Sequence, residues 1–162
     1  MGKDKARLRL GGQTLLARIR ATAKTLNVPV RTIRRDLVPR CGPLGGVFTA
    51  LKTTSVEAVL FLACDMPKVS GRLLEQLLER FDGERKEIFT WNKSVAGFPF
   101  IINRDALSVV EHQLTEKAFS LQRLAKRLSA EKFQPAPGSM SDLLNVNTPE
   151  DWENLKRLTK KN

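Results

Sequence analysis

Asp65 closes a continuously apolar run, Ala58 to Cys64, and is followed by Met66 and Pro67. In open α/β sheets, ligands bind beyond the carboxyl ends of the strands. A carboxylate at such a place suits Mg²⁺, which takes one or two carboxylates and completes its shell with phosphate oxygens and water. Capping the turn before Pro67 is the competing role for the same side chain. A second candidate is Gly42-Pro43-Leu44-Gly45-Gly46, read as a loop ahead of a short helix over 47–53. Its glycines let a backbone approach a ligand closely, and a helix N-terminus offers N–H groups to an anion or a base edge. No Gly-Lys-Ser/Thr follows, so this is not a Walker loop, and a plain tight turn is the alternative. Asp36 precedes this loop closely enough to reach the same site.

Other reactive side chains are poorer candidates. Lys5 belongs to a charged opening, Lys3-Asp4-Lys5, which by itself reads as solvated charge. His112 is the only histidine and sits beside Glu111 in an amphipathic segment, so it reads as a surface residue. Without a second histidine, a catalytic triad is not expected. Cys41 and Cys64 lack zinc-ligand spacing. Cys64 ends a strand and is expected to pack, while Cys41 is a loop residue. Two cysteines in 162 residues make no disulfide framework, and a reducing cytoplasm is the expected location.

These groups need elements to hold them. Leu15, Leu16, Ile19, Ala23 and Leu26 recur at helical spacing and predict a helix over 13–26, stopped at Asn27-Val28-Pro29. Val30 to Ile33 alternates as a short strand or edge. The apolar run 58–64 suits a strand buried on both faces of a parallel sheet. Ser70 caps a helix with Leu73, Leu74, Leu77, Leu78 and Phe81 inward. Asp82-Gly83 marks a turn. Strands are expected over 87–91 and 98–102, the latter at an edge or irregular position because of Pro99. Helices follow over 104–117 and 119–130, then a Pro/Gly/Ser loop over 134–141. At Thr148-Pro149-Glu150-Asp151 a cap residue, an N1 proline and first-turn acids coincide, starting a helix with Trp152, Leu155 and Leu158 inward. Strands alternating with helices make the chain α/β.

Composition narrows the partners. Lysine plus arginine exceeds aspartate plus glutamate to give a net charge of +11, which calls for anionic ligands. The basic residues are scattered, aromatics do not interleave them, and tyrosine is absent, so a base-stacking nucleic-acid surface is not expected. At 41% hydrophobic residues the chain is globular rather than disordered. No apolar run approaches the ~18 residues of a membrane span, and Met1 to Leu10 contains no signal-peptide stretch.

Taken in order, these pieces resemble the molybdenum cofactor guanylyltransferase family, within the Rossmann-like nucleotidyltransferases. The matching segments are Met1 to Ala6, Gly12 to Leu16, Asp36 with Arg40 to Gly46, the apolar strand into Cys64-Asp65-Met66-Pro67, Gly97 to Phe100, and Asn145 to Asp151. The resemblance implies transfer of GMP from GTP to a molybdopterin-type cofactor, with release of pyrophosphate. It implies that Lys5 neutralises nucleotide phosphates and that Asp65 is the Mg²⁺ ligand. It implies that Gly42, Pro43 and Leu44 lie at the guanine base, with Asp36 on the nucleoside side. Asn145 and Asn147 would face the pterin-bearing substrate. Molybdoenzymes or their chaperones are further partners that the resemblance allows. Family members open with an apolar strand running into Leu-Ala-Gly-Gly-x-Ser-x-Arg-Met-Gly, and this chain begins at that methionine. The expected architecture is one domain over 1–162, with a three-layer fold and a mostly parallel sheet that lacks strand 1 and strand 2. Three alternatives stand beside this reading: a non-catalytic nucleotide-binding relative, a nucleotidyltransferase for another base or acceptor, and a basic nucleic-acid binder.

Overall fold

A computed structural model describes residues 5–81 and 87–159. Two compact units are distinguished: residues 1–30, 62–75 and 136–162 form the first, and residues 31–61 and 76–135 the second. The chain is α/β, and no helix among the described residues is long and apolar enough to cross a membrane. The expected turn at Asp82-Gly83 lies outside the described residues.

In the first unit a 3₁₀ turn, Lys5–Arg7, leads into a small antiparallel hairpin of β1 (Arg9–Leu10) and β2 (Gln13–Thr14). Gly11 and Gly12 make its turn at φ +57 and +82, a region that costs glycine nothing. Helix α1 (Leu15–Lys24) follows, and the Thr14 hydroxyl accepts a hydrogen bond from Ala17 N at 3.1 Å. Leu15, Ile19 and Ala23 are its buried face. The helix ends before Asn27, which takes a left-handed φ of 54. Helix α6 (Pro149–Thr159) starts where the cap signals coincide. Its Leu155 joins Leu10, Leu15 and Val146 in one apolar cluster, flanked by Leu8, Leu144 and Trp152. Leu158, expected inward, is instead 49% exposed. The segment expected to be a loop, 134–141, contains a 3₁₀ stretch, Pro137–Leu143.

In the second unit, a four-stranded sheet has the order β3-β5-β4-β6. The strands are β3 (Ala58–Phe61), β4 (Ile88–Asn92), β5 (Val95–Asn103) and β6 (Glu131–Phe133). Alternate residues point to opposite faces. Phe61, Phe89, Trp91, Phe100 and Ile102 face α2 (Pro43–Thr53), α4 (Leu107–Thr115) and α5 (Leu121–Arg127), through Leu44, Val47, Leu51, Val110 and Leu124. Phe61–Phe100 and Phe89–Phe100 stack at 4.9 and 4.4 Å between centroids. Such aromatic pairs add about 0.5–1.5 kcal/mol beyond the area they bury. Ile88 and Ile101 face the other way, toward Leu77 and Leu78 of α3 (Gly71–Arg80). Helices therefore cover both faces of this sheet.

Some details differ from the sequence expectation. The sheet is mixed: β3–β5 and β4–β5 pair antiparallel, and only β4–β6 is parallel. The reason is local, because β4 and β5 form a hairpin and antiparallel strands need only a short turn. The run 58–64 forms a strand only to Phe61 and lies at the sheet edge, so Ala58, Val59 and Leu60 are half-buried. Strands β4, four of whose five residues are buried, and β5 are the ones covered on both faces. Strand β5 is interior although it holds Pro99. The register jumps from Phe89↔Phe100 to Thr90↔Gly97, so Phe98 and Pro99 oppose nothing on β4 and no ladder N–H is demanded of the proline. Residues 30–33, expected as a short strand, form none.

Candidate functional site

In the first unit, three of the candidate residues come together from distant parts of the sequence. Lys5 Nζ donates to Asn147 Oδ1 at 2.8 Å and lies 3.6 Å from Asp65 Oδ2. The Lys5 and Asp65 side chains are 29% and 26% exposed, so the pair remains open to a solute. Backbone hydrogen bonding ties the same pieces: Val146 N donates to Asp65 O at 2.9 Å. The Val146 side chain is fully buried, which pins the loop carrying Asn145 and Asn147. Asn145 and Asn147 are both exposed on either side of it.

Below this loop, Asp151 Oδ2 accepts from Asn147 N at 2.9 Å and Thr148 N at 2.8 Å. Asp151 N in turn donates to Thr148 Oγ1 at 3.1 Å. The N–H groups of Thr148 and Asn147 hold the Asp151 carboxyl below its ordinary range, and the Lys5 charge adds to this. Sequence reasoning identifies Asp151 only as a first-turn acid. Its spacing from Thr148 matches a capping box, a signal that could have placed it against this loop.

In the second unit, Asp36 faces the start of α2. The helix begins at Pro43, earlier than expected, so Gly45 and Gly46 are helical and not loop. Pro43 at the first position is the signal for that start. Gly42 is the N-cap with φ 54 and ψ −146, a conformation for which a side chain is ill suited. A Cβ on Gly45 would lie 2.9 Å from both Asp36 Oδ2 and Val38 O. The absence of a side chain there is what lets the carboxylate approach the helix. Thr49 fixes the approach, accepting from Leu37 N at 2.9 Å and donating to Gly45 O at 2.8 Å. Gly42 and Pro43 are exposed, but Leu44 is fully buried in the core, so only its backbone remains to meet a ligand.

The residues set aside behave differently from one another. His112 is on the surface and its Nε2 lies 3.0 Å from Glu116, while Glu111 pairs with Lys52. Cys41, expected as a loop residue, lies outside the helices and strands and is a buried free thiol that donates to Pro39 O at 3.5 Å. Cys64 is half-buried. Among the described residues, no group of three or more histidine, cysteine, aspartate or glutamate side chains could hold a metal by itself. Asp65 offers one hard oxygen ligand, the donor type that fits Mg²⁺ when phosphates and water complete its shell, with the Lys5 ammonium 3.6 Å away.

Residues 27–132 match the family described as MobA-like NTP transferase domain. The molybdenum cofactor guanylyltransferase of Syntrophotalea carbinolica is 34% identical over 127 residues, covering 72% of this chain and 59% of the relative. A probable molybdenum cofactor guanylyltransferase of Carboxydothermus hydrogenoformans is 27% identical, covering 98% of this chain and 89% of the relative. Among solved structures, molybdopterin-guanine dinucleotide biosynthesis protein A from Archaeoglobus fulgidus superposes with a TM-score of 0.78 at 17% identity, covering 99% of this chain and 93% of that one. The 2-C-methyl-D-erythritol 4-phosphate cytidylyltransferase of Thermus thermophilus superposes at 0.71 with 16% identity, covering 98% and 95%. These last two likenesses are of fold alone, an α/β Rossmann-like architecture.

Proposed function

The chain belongs to the MobA-like NTP transferase family, and from that membership we propose that it transfers GMP from GTP to a molybdopterin-type cofactor. A terminal phosphate oxygen of the acceptor attacks the α-phosphorus of GTP. The new bond is oxygen to α-phosphorus, and the bond to the β-phosphate oxygen breaks to release pyrophosphate. The attack brings two anions together, so the protein needs cations more than a nucleophile. Asp36 and the backbone of Gly42, Pro43 and Leu44 take the guanosine. Lys5 neutralises charge on the phosphates, and Asn145 and Asn147 take the pterin-bearing substrate. Asp65 holds Mg²⁺. When bound, Mg²⁺ supplies Lewis-acid stabilisation of phosphate charge and a template for the triphosphate. The net charge of +11 suits two anionic substrates in a cytoplasmic reaction.

One observation carries this reading: Lys5, Asp65 and Asn147, far apart in sequence, share a single partly open cluster. The relatives named as molybdenum cofactor guanylyltransferases support the choice of base and acceptor. The test is pyrophosphate release from Mg·GTP and molybdopterin, with ATP, CTP and UTP as competitors. Release with GTP alone supports the reading. Release with another nucleotide moves the base assignment, and nucleotide binding without release makes the chain a non-catalytic relative.

A further inference from the structure

We propose that Asp151 is a positioning residue that aims the Lys5 ammonium by holding the backbone of Asn147; this rests on the reading of Lys5 as the phosphate-binding cation. A helix cap requires less than Asp151 supplies. The reciprocal bonds between Thr148 and Asp151, at 2.8 and 3.1 Å, already complete a capping box for α6. The further bond from Asn147 N to the same carboxylate oxygen, at 2.9 Å, serves a residue outside the helix. That residue is the one whose side chain accepts from Lys5 Nζ.

The loop is thus fixed at two successive residues by different means. Val146 is held by its buried side chain and by its N–H on Asp65 O. Asn147 is held by Asp151. With both anchors in place, the Asn147 amide has a defined origin from which to reach Lys5, although Asn147 itself is exposed. Without the second anchor the peptide between Val146 and Asn147 can rotate, and the Lys5 ammonium loses its hydrogen-bond partner. The negative charge of Asp151 also acts on Lys5 directly, in the sense that favours keeping the ammonium nearby. Glu150, in the same first turn, leaves the helix N-terminus with a carboxylate when Asp151 is removed.

The test compares two variants that damage the same cap. Thr148→Ala removes the hydroxyl from the capping box but leaves the Asp151 bonds to both N–H groups. Asp151→Ala removes those two bonds and leaves the one from the residue-151 backbone N to Thr148 Oγ1. A purely structural role lowers stability in both variants and leaves kcat of the folded protein alike in the two. Positioning predicts that Asp151→Ala lowers kcat for pyrophosphate release by about ten- to a hundredfold, as loss of an outer-shell partner does. Thr148→Ala then stays close to wild type, and Asp151→Glu recovers part of the loss. A second readout needs no turnover. In two-dimensional NMR of the ligand-free protein, Asp151→Ala shifts the Asn147 side-chain amide and the Lys5 side-chain signals, and Thr148→Ala does not. If the chain releases no pyrophosphate from any nucleotide, the proposed reaction fails while these spectra still judge the positioning. Equal kinetic losses in the two variants, or unshifted Asn147 and Lys5 signals in Asp151→Ala, overturn the proposal.

Discussion

Lys5 Nζ stands 3.6 Å from Asp65 Oδ2, beyond hydrogen-bond reach yet close enough for strong attraction. Two charges at such a separation attract by about 1 kcal/mol in water and about 4 kcal/mol at a protein surface. Both side chains are more than a quarter exposed, and exposed pairs contribute about 0–1 kcal/mol to folding. The pair therefore adds little to stability, and in the proposed reaction its charges serve the substrate. Lys5→Met should lower turnover by about a hundredfold or more, the loss seen when a group stabilising developing charge is removed. Its melting temperature should stay near wild type. A pyrophosphatase-coupled assay beside thermal denaturation checks both, and a large melting shift with unchanged turnover contradicts the argument.

The Lys5 ammonium also occupies the neighbourhood a divalent cation would need at Asp65. Removing it should tighten Mn²⁺ binding in the absence of nucleotide, because a competing charge is gone. Titration calorimetry on Lys5→Met and on Asp65→Asn gives opposite expected results: tighter binding in the first, and none at this position in the second. Chelation of divalent cations should stop turnover in the wild type.

Gly45 and Gly46 make a paired test of the Asp36 contact. At Gly45 a methyl group would lie 2.9 Å from a carboxylate oxygen and from a backbone carbonyl, whereas at Gly46 it would meet Asp36 Oδ1 at 3.7 Å. Gly45→Ala should cost about 1–3 kcal/mol by overpacking. Gly46→Ala has room, and should be neutral or stabilise by up to about 1 kcal/mol through helix propensity. Urea denaturation of both variants decides, and equal effects contradict the geometry.

Asp151 gives an acid-side prediction. Its carboxyl is held below the ordinary range by the Thr148 and Asn147 N–H groups, so its ionised form stabilises the fold. That contribution is fully present above the unfolded-state value of about 3.9 and is lost as pH falls through the folded value. The stability difference between wild type and Asp151→Asn should be constant from about pH 7 to 5 and shrink below about pH 4. Glu116, lowered chiefly by its hydrogen bond from Arg127, titrates in the same direction. The comparison is therefore best repeated with Glu116→Gln in both proteins.

Gln113 predicts a purely structural loss. It is fully buried, and its Nε2 donates to Ala118 O at 2.6 Å and Ser120 O at 2.9 Å, closing the turn between α4 and α5. Gln113→Leu leaves Ala118 O without that donor, while Ser120 O keeps the bond from Leu124 N, and should cost about 1–3 kcal/mol for the one group left unpaired. Unfolding midpoints measure it, and nucleotide affinity should change little.

Legibility in the sequence follows the strength of the local signal. The start of α6 is plain because Thr148, Pro149 and the acids after them agree. Helix α3 is plain because its leucines keep a strict period and Ser70 caps it, accepting from Leu73 N at 3.2 Å. The hairpin β1–β2 is invisible, since two residue pairs are too few to show alternation. Strand β6, with three residues, is hidden for the same reason. Pro99 signals the irregular position that the register shift shows, but not that β5 is interior, because its partner strands lie elsewhere in the sequence. Lys5, Asp65 and Asn147 each stand out through the family resemblance, but nothing within their own segments shows that they touch. Leu44, expected at a ligand, has its side chain in the core because an N1 proline moves the helix start ahead of it, which leaves only its backbone for that role.

The chain has two tryptophans and no tyrosine, so its ultraviolet emission comes from indole alone. Trp91 is buried in the second unit with Lys132 Nζ 4.5 Å from its ring centre, whereas Trp152 is half-buried in the first. Replacing either one by phenylalanine leaves a reporter dedicated to one unit. Coincident fluorescence transitions from the two single-tryptophan proteins would mean cooperative melting, and separated transitions would mean that the units come apart in steps.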